Sequence, residues 1–331
     1  MDTWSDTFLD YAAGNWDGDG CVVIGSNYNL TVGLDKATKG KEALELFVAN
    51  FGGKIYSKRA ATSSTQQLYE WKLNGPAAMK FILAIKDRVW IKRQQAEVAS
   101  RFPMALKCQV KAEKDGVVVV HESKTKCANV LGLTESQLRS RLAPRSAPHN
   151  GWKLTEIKRD DSVVIPQKNA IDQELRRLKH VPHEPITKPL TIPYCAGLVD
   201  AEGCLSILNA YGSWKLGVPQ GSPEILYALQ RQFAGSVFVS KTTANRGCWQ
   251  IYARLARPFL EQCLPYMVEK KKQVELVLAF ERGRGLELNA LLRELKGNYT
   301  AGLSIAKSAV PDGMQLPDDM VDAGDEDAEM V

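Results

Sequence analysis

Apolar positions along the chain alternate between helical and strand spacing, and the order of that alternation occurs twice. Within residues 41–50, Ala43, Leu44, Phe47 and Val48 recur at helical spacing, and Gly52-Gly53 stops the run. Two β-rich stretches, 21–24 and 29–34, precede it across a Gly25-Ser26-Asn27 turn, and two more, 54–59 and 68–73, follow it. A helix over 5–18 opens this unit, and a helix over 76–101, with Pro76 in its first turn, closes it. The predicted order is αββαββα. The second half of the chain predicts the same order, with a helix ending at 201, strands near 204–208 and 214–218, and a helix over 223–232. Strands over 236–241 and 248–252 and helices through 257–282 complete it.

The two units also share residues. Tyr11-Ala12-Ala13-Gly14-Asn15-Trp16-Asp17-Gly18-Asp19-Gly20-Cys21-Val22 returns as Tyr194-Cys195-Ala196-Gly197-Leu198-Val199-Asp200-Ala201-Glu202-Gly203-Cys204-Leu205. Each copy ends a short helix of small residues with a carboxylate and a glycine. Phe51-Gly52-Gly53-Lys54-Ile55-Tyr56-Ser57-Lys58 is echoed by Phe233-Ala234-Gly235-Ser236-Val237-Phe238-Val239-Ser240-Lys241. Asp19 to Glu202 and Lys58 to Lys241 are both 183 positions apart, so a whole unit is duplicated and not only a short motif.

Residues 105–193 separate the units and are longer than a simple linker requires. A helix is predicted over 124–131, a turn at Gly132-Leu133-Thr134 with Thr134 as N-cap, a second helix over 135–142 and a closing strand at 151–154. This resembles the small helix-turn-helix modules found beside intron-encoded nucleases, and a helical hairpin that braces the two units fits the same pattern. Residues 166–193, rich in proline and charge, are expected to form a surface linker with one short helix at 172–179. The expected divisions are 1–104 and 191–285 for the two units, 105–190 for the insert and 286–331 for a C-terminal segment.

Composition narrows the partners. With 331 residues and 44% hydrophobic content the chain can bury one or two cores. Lys+Arg 43 against Asp+Glu 38 gives a net charge of +5, although 318–329 is strongly acidic, so the remainder is more basic than the total implies. A basic body suits a polyanion such as nucleic acid. The acidic tail is expected to be disordered. Seven cysteines, at 21, 108, 127, 195, 204, 248 and 263, are odd in number and nowhere spaced as CxxC, which points to free thiols in a reducing compartment. No apolar run approaches a membrane span, and the N-terminus reads as neither a signal nor a transit peptide. The expectation is an intracellular protein with no membrane partner, with organelle and nucleus both left open.

The duplicated motif with its shared landmarks resembles the LAGLIDADG homing endonucleases in their single-chain, two-repeat form, over roughly 1–104 and 191–285. The resemblance implies an α+β fold in which two pseudo-symmetric αββαββα repeats form a DNA-binding saddle. Its sheets would lie in the major groove, where each base pair offers a distinct pattern of donors and acceptors. It implies a monomeric, site-specific endonuclease that uses Mg²⁺, with Mn²⁺ able to substitute, on double-stranded DNA at a long, partly asymmetric target. It further implies staggered cuts and an intron-associated role in a mobile element. Two alternatives stand beside it: an RNA maturase that assists group I intron splicing, with intron RNA as partner, and a non-catalytic sequence-specific DNA-binding protein.

Small residues in both motif helices permit close approach, which would bring Asp19 and Glu202 toward a shared axis. Hard cations take oxygen ligands and keep several waters, so one or two carboxylates plus phosphate oxygens suffice. By resemblance, Asp19 and Glu202 are the metal-binding catalytic acids, whereas Asp17 and Asp200 cap or orient the helices. Asn15 to Gly20 imitates an EF-hand loop, but Ser26 stands where that loop needs an acid. The family places a lysine three residues before a glutamine after the fourth strand, and Lys92-Arg93-Gln94-Gln95 and Lys270-Lys271-Lys272-Gln273 carry that pattern. Lys92 and Lys270 are therefore candidates. Gln220 matches the family's glutamine at the end of the second strand, while Leu34-Asp35-Lys36-Ala37-Thr38 offers none in the first repeat. Trp16 is expected in the core of repeat 1. For DNA reading, alternate strand residues are the candidates: Asn27, Asn29, Thr31 and Lys215, and on the outer strands Lys58, Arg59, Glu70, Lys72, Lys241, Arg246 and Gln250.

Overall fold

The computed structural model describes residues 4–25, 29–61, 66–103, 108–121, 123–143, 146–158, 161–178, 185–209, 212–239, 247–280 and 284–296. Repeat 1 runs α1 (Asp6–Asp19), β1 (Gly20–Ile24), β2 (Leu30–Ala37), α2 (Lys41–Phe51), β3 (Lys54–Arg59), β4 (Leu68–Asn74), α3 (Pro76–Ile85) and α4 (Arg93–Ser100). The insert holds β5 (Cys108–Lys114), β6 (Val117–His121), α5 (Lys124–Leu131), α6 (Glu135–Arg141), β7 (Lys153–Lys158) and α7 (Asp161–Leu178). Repeat 2 runs α8 (Ile192–Glu202), β8 (Cys204–Ile207), β9 (Trp214–Gln220), α9 (Pro223–Phe233), β10 (Ser236–Val239), β11 (Gly247–Tyr252), α10 (Ala253–Cys263) and α11 (Lys271–Ala279), and α12 (Gly285–Lys296) follows it. The expected αββαββα order is present in both repeats.

Each repeat carries a four-stranded antiparallel sheet of one topology, β1-β2-β4-β3 and β8-β9-β11-β10. Alternation decides their faces. Leu30, Val32 and Leu34 of β2 and Trp71 and Leu73 of β4 are buried on one side, and Leu216, Val218, Trp249 and Ile251 are their counterparts in repeat 2. Aromatic rings fill the repeat 1 core: Phe47, Phe51, Trp71 and Phe81 stack edge to face, with Phe51 and Phe81 centroids 4.8 Å apart. Trp16 is fully buried there against Phe81, as its sequence context predicted. One continuous core joins both repeats.

Three elements differ from the sequence expectation. The single helix foreseen over 76–101 is broken into α3 and α4, because the main-chain N–H groups of Trp90, Ile91 and Lys92 turn to the Asp17 carboxylate instead of continuing a helix. The insert contains a hairpin, β5–β6, beside the foreseen helices, and its Asp115-Gly116 turn has φ of 50° and 78°. Those angles suit the two-residue turns that Asp-Gly favours. Helix α7 starts well before residue 172, and with Leu175 and Leu178 buried in the main core it is a packed brace, not a surface linker. The helix-turn-helix of the insert matches expectation, including a capping box in which Thr134 and Gln137 satisfy one another's backbone N–H. Val110, Cys127, Ala128 and Leu138 give the insert a small core of its own. Among the described residues no helix is long and apolar enough to cross a membrane. The acidic tail lies outside the described residues.

Candidate functional site

The centre of the molecule is the crossing of α1 and α8, and glycine makes it possible. A Cβ on Gly14 would lie 2.0 Å from the Tyr194 carbonyl oxygen, and one on Gly197 would lie 2.1 Å from that of Tyr11. A Cβ on Gly18 would meet that of Ala201 at 2.3 Å. The crossing is reciprocal in its polar contacts too. Tyr11 donates its hydroxyl to Asp200 at 3.0 Å, and Tyr194 donates to Asp17 at 2.7 Å.

Asp17 and Asp200 are buried organisers of the backbone. Asp17 accepts from the amides of Trp90, Ile91 and Lys92 at 2.7, 3.1 and 2.8 Å, and Asp200 accepts from those of Val268, Glu269 and Lys270 at 2.7, 3.1 and 2.9 Å. Burial pushes the Asp17 carboxyl up, while Lys92 and its donors pull it back. Neither aspartate faces solvent, and each caps the turn leading into α4 or α11 and not its own motif helix.

Lys92 and Lys270 end the turns those aspartates hold and stand as N-caps of α4 and α11. Their ammonium groups cap the motif helices: Lys92 donates to the carbonyls of Trp16, Asp17 and Gly18, and Lys270 to those of Val199, Asp200 and Ala201. Burial lowers both lysines from their ordinary value, and acids oppose it, Asp17, Asp19 and Glu202 around Lys92, and Glu269, Asp200 and Asp19 around Lys270. Each therefore sets a positive charge beside the helix end that carries the candidate acid.

Asp19 and Glu202 are the last residues of α1 and α8. Glu202 lies close enough to repeat 1 that its Cγ would be 3.2 Å from a Cβ on Gly18. Burial raises the Glu202 carboxyl, Asp19 raises it further, and Lys92, Lys270 and Lys36 lower it. Two acids thus repel one another inside a ring of three lysines. Oxygen donors, mutual repulsion and partial burial fit a hard divalent cation. Among the described residues no group of three or more His, Cys, Asp or Glu stands together as a metal cage, so these two carboxylates would have to share a cation with substrate oxygens.

Lys36 is the residue that sequence reasoning missed. Leu34 pairs with Trp71 and Val218 with the equivalent Trp249, which sets Lys36 opposite Tyr69 where Gln220 stands opposite Gly247. Lys36 thus holds the repeat 1 position that Gln220 holds in repeat 2. It is 3% exposed, and its ammonium contacts Asp19 at 2.7 Å and Glu269 at 2.8 Å. Burial lowers Lys36, but Glu269 and Asp19 outweigh it, so the group stays charged above the usual lysine value. The signal was in the sequence: Leu30, Val32 and Leu34 set an inward parity, and Lys36 is its next step. Gln220 accepts from the Gly221 amide at 2.7 Å, while its buried amide nitrogen has no partner.

The outer faces of the two sheets carry most of the remaining candidates. In repeat 1, Lys72 pairs with Glu70 at 2.8 Å, Lys58 with Asp35 at 2.6 Å, and Arg59 is exposed beside them at a bulge. Asn29 lies just before β2, and Thr31 donates to Asn74 at 2.8 Å. In repeat 2, Lys215 donates to Gln250 at 2.9 Å across β9 and β11. The exposed lysine–carboxylate pairs among these contribute roughly 0–1 kcal/mol each. Asn27, Lys241 and Arg246 lie outside the described residues.

No family model matches the sequence, and no curated protein matches it. Solved structures match the fold: a two-repeat α+β chain with paired motif helices at its centre has the fold of the LAGLIDADG homing endonucleases. The LAGLIDADG homing endonuclease I-GzeII in complex with its DNA target superposes with a TM-score of 0.52 at 12% identity, covering 88% of this chain and 98% of that one. The LAGLIDADG meganuclease I-AabMI bound to uncleaved DNA gives 0.51 at 15% identity over the same shares. I-SmaMI bound to uncleaved DNA in the presence of calcium ions gives 0.50 at 13% identity, over 88% and 98%. At these identities the likeness is one of fold.

Proposed function

We propose that this chain is a monomeric, site-specific DNA endonuclease of the LAGLIDADG type, with Asp19 and Glu202 as its metal-binding acids and Mg²⁺ as its cofactor. The observation that carries the proposal is the glycine-to-backbone crossing of two duplicated helices, each ending in a carboxylate beside a buried lysine. Similar folds bound to DNA targets support the choice of double-stranded DNA as substrate. A bound divalent cation would neutralise charge on the scissile phosphate and lower the pKa of coordinated water.

The chain's own residues do the rest. Asp17 and Asp200 fix the turns that carry Lys92 and Lys270, and these lysines hold the helix ends so that Asp19 and Glu202 stay close despite their repulsion. Gln220 offers a buried N–H without a partner, the kind of donor that orients an attacking water or a phosphate oxygen. Lys58, Arg59, Lys72, Lys215 and Gln250 line the reading faces, where Lys and Arg suit guanine and Gln suits adenine. A second function, sequence-specific DNA binding without cleavage, is favoured by one observation, the ion pair that already occupies Asp19.

The test is cleavage of a randomised double-stranded DNA library by the purified chain with Mg²⁺, beside Asp19→Asn and Glu202→Gln. Staggered cuts at one selected sequence, lost in both variants, are expected. Selection of a DNA or a structured intron RNA without any cut would replace the endonuclease with a binding protein or a maturase.

A further inference from the structure

The two repeats depart from one another at the centre in two charged positions, and the two departures touch. Lys36 stands where repeat 2 has Gln220, and Glu269 stands where repeat 1 has Ile91, since the third amide held by Asp17 is that of Lys92 and by Asp200 that of Lys270. A charge added in repeat 1 is answered by a charge added in repeat 2. The resulting pair crosses the repeat boundary, and Lys36 also holds Asp19. Gly40 makes room for it: a Cβ there would lie 2.9 Å from Glu269 Oε2 and 3.0 Å from Lys36 Cβ. Glu202 makes no ion pair among the described residues. The candidate acids are thus unequal, one bound by a resident ammonium and one open.

From this arrangement we infer that Lys36, anchored by Glu269, is a resident counter-ion that competes with a divalent cation for Asp19. Binding of the cation is then led by Glu202, and Lys36 is a positioning residue, not a ligand. Lys36 donates to Asp19 Oδ2, so a cation would have to displace that contact or share the carboxylate with it. Glu269 prevents the ammonium from swinging away, because it binds from the other repeat and is largely buried. The inference rests on the endonuclease proposal, and its test separates the two.

The probe is Mn²⁺, titrated into the full chain and followed by the electron paramagnetic resonance signal of the free ion. Lys36→Gln/Glu269→Gln removes both charges together and restores the repeat 2 residue at the strand end. It is expected to bind Mn²⁺ about ten- to a hundredfold more tightly than the wild type, the scale on which residues behind metal ligands act. Glu202→Gln should abolish binding in the wild-type background while Asp19→Asn only weakens it, and in the double variant the two substitutions should become equally damaging. Equal Mn²⁺ affinity in the wild type and the double variant overturns the inference but leaves the endonuclease standing if DNA is still cut. Absence of Mn²⁺ binding in every form, with no cut, overturns both. Thermal melting reports whether the double variant folds, and if it does not, Glu269→Gln alone reads the same competition through a smaller tightening.

Discussion

Substitution of Gly14 by alanine sets two physical effects of opposite sign against one another. In an isolated helix interior, alanine is more favourable than glycine by about 1 kcal/mol. At the α1–α8 crossing the new methyl would lie 2.0 Å from the Tyr194 carbonyl oxygen, about 1.4 Å inside the 3.4 Å at which ordinary van der Waals contact begins. The obstructing atom is backbone, so no rotamer change relieves it. The helices must separate, or α8 must shift along its axis. Separation stretches the Tyr11–Asp200 and Tyr194–Asp17 hydrogen bonds, both buried, and weakened bonds of that kind add roughly 1–3 kcal/mol to an overpacking strain of about 1–3 kcal/mol. Subtracting the helix gain leaves a net loss of about 1–5 kcal/mol, which in a domain of this size lowers the melting temperature by roughly 2–4 °C per kcal/mol. Gly197→Ala should lose a similar amount through the Tyr11 oxygen at 2.1 Å. The two should be less than additive when combined, because helices already pushed apart accommodate the second methyl more cheaply. Urea unfolding followed by tryptophan fluorescence measures all three. A neutral or stabilising Gly14→Ala, or strict additivity, would refute the close crossing and with it the placement of the acids.

Further outcomes follow from the same centre. Asp17→Ala strands three backbone N–H groups and the Tyr194 hydroxyl and is expected to destabilise by about 3–5 kcal/mol, more than Asp17→Asn, in denaturant titrations. Lys92→Met should reduce cleavage at least tenfold while lowering stability by only about 1–3 kcal/mol, since three carbonyls lose one shared donor. Because burial and Asp19 raise Glu202, its carboxylate is lost as pH falls through a value above the ordinary glutamate range. The acid limb of the cleavage and Mn²⁺-binding profiles should therefore lie above that range, and Asp19→Asn should move the binding limb to lower pH. Leu138→Ala should cost the insert about 2–5 kcal/mol and expose the amides of β5 to hydrogen exchange without changing the protection of α1 and α8.

Most of the fold was legible because the duplication supplied it twice. A helix ending in Asp-Gly-Asp-Gly reads ambiguously alone, but its return 183 residues later, with the same strands behind it, fixed the pairing of α1 with α8 and the position of Asp19 and Glu202. What escaped was long-range or local in ways periodicity does not report. The break between α3 and α4 comes from a carboxylate more than seventy residues away, and nothing in residues 76–101 signals it. The β5–β6 hairpin did carry a signal in Asp115-Gly116, masked because Val117 to Val120 are all apolar and show no alternation. Lys36 was visible as the next inward step of β2, yet a lysine at a core phase reads as the end of a strand until its partners are known. Those partners, Asp19 and Glu269, come from different repeats.

The Lys36–Glu269 pair also says something about the history of the chain. Two copies of repeat 1 brought together as separate subunits would leave each Lys36 with Asp19 alone, whereas two copies of repeat 2 would bury two glutamates with no Lys36 to answer them. Leaving one partner of a buried pair alone costs about 3–5 kcal/mol, a large fraction of the stability of an ordinary domain. The fused arrangement has therefore become a ratchet. Once repeat 2 came to depend on a charge that repeat 1 supplies, it could not go back to serving as its own partner.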